Sequence, residues 1–110
     1  MPFSSITNRL LQEITQKIVD AFHPEQIILF GSHAYGKPGE TSDVDLLVIM
    51  HTDLRPAERS AQISRVCRPR YLPMDILVRT PQEIAERLNA FDPFLEEILT
   101  HGKVLYQAAG

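Results

Sequence analysis

The 110-residue chain has one cysteine, Cys67, so it can form no internal disulfide and has no second thiol for a structural zinc site. A reducing compartment is expected. Cys67 has no activating neighbour in sequence and reads as an apolar filler rather than a nucleophile. No stretch approaches the ~20 apolar residues that cross a bilayer. The N-terminal Met1-Pro2-Phe3-Ser4-Ser5 runs into Asn8, Arg9, Gln12 and Glu13 rather than into an apolar signal core. A cytoplasmic protein without a membrane partner is expected. A basic excess is missing too: the formal net charge of -3 excludes a general electrostatic grip on nucleic acid, which is not expected as a partner. Repeats and low-complexity tracts are also lacking. The four histidines, His23, His33, His51 and His101, share no chelating spacing.

The chain does have 44% apolar residues, enough for one core and one domain over residues 1–110. A domain this small buries only about two thirds of its unfolded surface, which leaves a homo- or hetero-oligomer open. Arg55, Arg59, Arg65, Arg68, Arg70 and Arg79 supply six of the eleven basic residues within 25 positions. A solvated helix face and a charged rim for a partner are both compatible with that cluster.

Ile6, Leu10, Leu11, Ile14, Ile18 and Phe22 recur at steps of three and four, predicting a first helix capped by Ser4 or Ser5 and ended by His23-Pro24. Gln26 to Phe30 reads as a buried strand stopping at Gly31, and Lys37 to Ser42 as a loop. A second strand is predicted from Asp43 to about Met50. A helix follows from Pro56 to about Cys67, with Leu54, Ala57 and Ala61 on its apolar side. Met74 to Val78 makes a third strand, Pro81 opens a further helix and Asp92-Pro93 interrupts it. A last helix from Pro93 to Thr100, closed by Gly102, precedes a short strand from Lys103 to Tyr106. This order predicts an α/β or α+β domain, with helices packed on a sheet whose strand order the sequence leaves open.

The chemistry lies at the strand ends. Gly31 permits close approach of a phosphate to the backbone after the first strand, and the Ser32 hydroxyl adds a hydrogen bond. Alone, the pair is also compatible with a plain turn. Asp43 and Asp45 alternate, so their carboxylates share one strand face among apolar neighbours. Asp75 sits alone in the apolar run Met74 to Val78 and reads as a buried carboxylate with no packing role. No Lys or Arg lies within Asp43 to Met50. Such carboxylates need positive charge nearby, and oxygen donors suit hard cations such as Mg²⁺ or Mn²⁺. Three carboxylates beside a phosphate turn match the needs of two-metal phosphoryl transfer.

Ile28-Leu29-Phe30-Gly31-Ser32, ten residues, then Thr41-Ser42-Asp43-Val44-Asp45-Leu46-Leu47-Val48, followed by Asp75 and Gly102-Lys103-Val104-Leu105-Tyr106, resemble one known group. That group is the minimal nucleotidyltransferases of the DNA polymerase β-like superfamily, including the MntA-type antitoxins of HEPN/MNT toxin–antitoxin pairs. The resemblance implies the nucleotidyltransferase fold, a small mixed β-sheet with helices against it. It implies that Asp43, Asp45 and Asp75 are catalytic and hold two Mg²⁺ ions, and that Gly31 and Ser32 bind the phosphates of ATP. It also implies transfer of AMP to a tyrosine hydroxyl of a HEPN-domain toxin. A small-molecule or nucleic-acid acceptor, and an antitoxin acting by contact alone, are the alternatives. Many relatives carry arginines after Gly-Ser, where this chain has His33 and Tyr35.

Overall fold

A computed structural model describes residues 8–31, 34, 43–69 and 72–109. The predicted N-terminal cap at Ser4 or Ser5 lies outside them. The first helix, α1 (Asn8–Phe22), buries Leu11, Ile14 and Ile18 along one stripe, as the three-four spacing requires. It ends where His23 turns left-handed at φ 50°, its N–H still donating to the Val19 carbonyl at 3.0 Å.

Strands β1 (Gln26–Phe30) and β2 (Val44–Ile49) are followed by α2 (Pro56–Cys67), β3 (Met74–Arg79), α3 (Pro81–Asn89), α4 (Pro93–His101) and β4 (Lys103–Gln107). The sheet order is β3-β2-β1-β4. β1 pairs antiparallel with β2 and β4, while β2 and β3 run parallel. The sheet is therefore mixed, and the three-layer arrangement is α+β. Prolines open α2, α3 and α4, where a missing N–H costs nothing. Thr80 and Glu83 close a reciprocal capping box on α3, and Asp92 caps α4 through the Leu95 N–H at 3.1 Å.

Strand alternation divides the interior in two. Val44, Leu46 and Val48 of β2 join Ile27, Leu29, Ile76 and Val78 in a large core under α1 and α2. Leu47 and Ile49 face the other way, joining Ile28, Leu95 and Ile98 in a smaller core under α4. No helix among the described residues is long and apolar enough to cross a membrane.

Two expectations change. The buried side of α2 is Arg59, Ile63 and Cys67, not Ala57 and Ala61; Ala57 is exposed. Arg59, Ile63 and Cys67 recur at i, i+4 and so share the stripe that faces the sheet. Gly102 does follow α4, but in extended geometry with φ -67° rather than left-handed. Glycine is needed there for space, since a Cβ would overlap the Ile98 carbonyl and the Ile28 side chain.

Candidate active site

Where β1 ends, Gly31 takes φ 75°, a left-handed conformation that glycine adopts without penalty. A turn follows, with the Ala34 N–H donating to the Gly31 carbonyl at 3.0 Å. A Cβ at Gly31 would overlap the Asp45 carboxylate, so packing demands glycine as strongly as the dihedral does. Ser32, His33 and the predicted loop Lys37 to Ser42 lie outside the described residues.

Asp45 stands in register with Phe30 on one side and with Asp75 on the other. Neighbouring strands lie about 4.8 Å apart, so the two aspartates share one face of adjacent parallel strands. That face is the one α4 covers, because Leu77 and Leu47, two residues on from each, lie in the smaller core. Asp43 precedes the first paired residue, Val44, and is exposed. The structure thus brings Asp45 and Asp75 together with Gly31 and leaves Asp43 at the start of the strand. Among the described residues, no three His, Cys, Asp or Glu side chains converge as a metal-holding group.

Asp75 is exposed, which corrects the expectation of a buried charge. β3 is an edge strand, and its pocket-side face is only partly covered, so apolar sequence neighbours do not make this position interior. Asp45 is half-buried.

Phe30, Gly31, Asp45, Asp75, Phe94, Glu97 and Ile98 line one pocket of about 350 Å³. All three charged groups among these residues are carboxylates. Oxygen donors without a lysine or arginine among the lining residues suit a hard divalent cation such as Mg²⁺ in kind, although no three of them converge. Phe94 and Glu97, one turn apart on α4, were not found by sequence reasoning. They flank the buried Leu95 and Ile98, but nothing in helical spacing says that α4 lies beside Asp45 and Asp75. None of these lining residues is a histidine; His51 lies elsewhere, exposed, 3.7 Å from Glu25.

The arginine cluster does not act as one surface. Arg59 is 7% exposed: its Nε donates to the Leu54 carbonyl at 2.7 Å, and its Nη1 to Glu83 at 2.7 Å and to the Val78 carbonyl at 3.3 Å. The Arg59 hydrogen bond holds the Glu83 carboxyl below the usual range, against the opposite pull of burial. Burial, with Arg87 nearby, lowers the Arg79 guanidinium from its ordinary value. Arg55, Arg65 and Arg68 are exposed, and Arg70 lies outside the described residues. Burial also pushes the Cys67 thiol up to about 11, in keeping with a filler role.

Residues 12–109 match the family described as polymerase beta, nucleotidyltransferase. A candidate protein adenylyltransferase of Methanocaldococcus jannaschii is 35% identical over 107 residues, covering 90% of this chain and 71% of that protein. A candidate nucleotidyltransferase structure from Sulfolobus solfataricus superposes with a TM-score of 0.61 at 20% identity, covering 90% of this chain and 78% of its own. A chain of the MntA–HpeT toxin–antitoxin does so at 0.57 and 19% identity, covering 94% and 75%. A toxin–antitoxin solved with AMP-PNP gives 0.56 at 20% identity, covering 88% and 73%. These structural likenesses establish a shared fold.

Proposed function

Because the chain belongs to the polymerase β nucleotidyltransferase family and is a nucleotidyltransferase, we propose that it transfers AMP from ATP to a tyrosine hydroxyl of a HEPN-domain toxin, as the antitoxin of the pair. The observation that carries this reading is the register pairing of Asp45 with Asp75 beside Gly31, at one acidic pocket. The adenylyltransferase relative and the toxin–antitoxin neighbours support the acceptor class. Asp45 and Asp75, with Asp43 at the strand start, are the residues that would hold two Mg²⁺ ions, which when bound neutralise phosphate charge and acidify the acceptor hydroxyl. The bare Gly31 backbone lets the distal phosphates approach the turn, and Ser32 adds a donor.

In the transfer, the acceptor oxygen forms a bond to the α-phosphorus while the bond to pyrophosphate breaks. The hydroxyl proton passes to the Asp75 carboxylate, which is open to the pocket. Exposure suits this role, since an acceptor presented from another protein reaches Asp75 without opening the fold.

Co-expression with a neighbouring HEPN-type protein is expected to yield a complex whose partner tyrosine carries added AMP by mass spectrometry. Asp75→Asn is expected to keep the complex and lose the added mass. Equal neutralisation by both forms, with no mass added in either, would leave contact alone as the mechanism.

A further inference from the structure

The pocket carries two chemically different kinds of group. Its carboxylates are Asp45 and Asp75 from the strands and Glu97 from α4; its aromatic rings are Phe30 at the end of β1 and Phe94, the second residue of α4, which is 56% exposed. Phe94 is held in place. Its ring meets Phe30 edge to face, with centroids 5.8 Å apart and planes at 83°. Phe30 is the register partner of Asp45 and directly precedes Gly31, so the ring is tied to the strand that carries the phosphate turn. Behind it, Leu95 and Ile98, each 2% exposed, anchor α4 in the smaller core. Phe94 thus lines the pocket with more than half of its surface exposed.

Resting on the transferase reading above, we infer that Phe94 is the platform on which the nucleotide's base stacks. A nucleoside triphosphate needs cations at its phosphate end and a flat apolar surface at its base end. The pocket offers carboxylates that suit such cations for the first and the exposed Phe94 ring for the second. A protein acceptor brings its own docking surface, whereas a nucleotide brings none, which favours the base over an acceptor ring. Since every base has a π-face, stacking here holds the nucleotide without choosing among bases.

Binding of ATP and of inorganic tripolyphosphate, each with Mg²⁺, tests this with Phe94→Ala, Phe94→Leu and Phe94→Trp. Phe94→Ala is expected to weaken ATP binding about tenfold or more, Phe94→Leu less, and Phe94→Trp hardly at all. Tripolyphosphate, which has no base, is expected to bind all forms within about twofold. Equal losses for both ligands would overturn the inference, because the ring would then only support the fold. So would unchanged ATP affinity with a raised KM for the acceptor, which would assign the ring to the acceptor. Failure of the unaltered protein to bind ATP would instead overturn the transferase reading itself.

Discussion

The two faces of the sheet are built from alternate residues of the same strands, yet they do opposite things. Toward α1 and α2, the residues Val44, Leu46 and Val48 meet Ile14, Ile18 and Ile63 in a continuous core. Toward α3 and α4 the apolar series of β2 starts only at Leu47, because Asp45 occupies the position before it. The smaller core stops there, and the pocket begins. The α3–α4 corner also leaves Leu88 and Phe91 in solvent, Phe91 at 88% exposure. One face therefore stabilises the domain, and the other gives up packing so that carboxylates and an aromatic ring stay accessible. Such a division confines the loss of packing to the side of the smaller core.

The division can be broken most severely at Asp45. Asp45→Asn is expected to lower the rate of nucleotide transfer on the order of a thousandfold, as loss of a preorganised charged group at phosphorus does. The melting temperature should stay close to that of the parent, since the half-buried Asp45 side chain faces the pocket and asparagine preserves its shape. A variant that melts far below the parent would show that Asp45 supports the fold, and the two faces would not be separable.

Leu46→Ala tests the opposite side. Leu46 is 0% exposed in the large core, and its truncation is expected to cost about 2–5 kcal/mol in denaturant titrations. Below the lowered midpoint, ATP binding should stay within about twofold. Leu95→Ala, in the smaller core behind Phe94, is expected to lose comparable stability and ATP affinity together. If Leu46→Ala weakened ATP binding as much as Leu95→Ala does, the faces would be coupled rather than divided.

Arg59 sharpens the comparison because it crosses it, joining α2 to the β3 backbone and to the capping box of α3. Arg59→Met is expected to cost about 2–4 kcal/mol, the effect of removing the cation from a partly buried carboxylate and the donor from the Leu54 carbonyl, while the Val78 carbonyl keeps its bond from Arg79. Glu83 adds a pH signature. Its folded carboxyl is held below its unfolded value of about 4.3, so its contribution is present above that pH and lost as pH falls through the lower folded value. The stability gap between the protein and Glu83→Gln should therefore be constant from pH 7 to 5 and shrink below about pH 4.3. A gap that does not change on acidification would contradict the assignment.

The smallest effect is at Cys67, the buried last residue of α2. With its thiol raised to about 11, it should react with a thiol reagent at pH 8 only as fast as the domain opens, and rapidly in denaturant. Prompt labelling of the folded protein would mean that the large core is not sealed there.

Much of this was legible before any coordinates. Proline at a first helical position and the breaks at His23-Pro24, Gly31 and Asp92-Pro93 placed most helix and strand ends within a residue or two, because these signals act on the local backbone. Gly31, Asp43, Asp45 and Asp75 stood out as a set because carboxylates in apolar strands need a reason that neighbouring residues do not supply. Ser32 belongs to that set by sequence alone.

Tertiary structure decided the rest, for the common reason that each feature depends on which strand or helix lies next to which. Asp75 meets Asp45 because β3 runs parallel to β2, and it is exposed because β3 is an edge; an apolar sequence context is compatible with either outcome. Arg59 shares a helical stripe with Ile63 and Cys67, but only the nearness of Val78 and Glu83 gives its guanidinium buried partners. Phe94 and Glu97 join the site because α4 packs across β1, a contact between segments more than sixty residues apart. Local propensity carries no information about such distant pairings, which are set by the burial of the whole sheet between its helices.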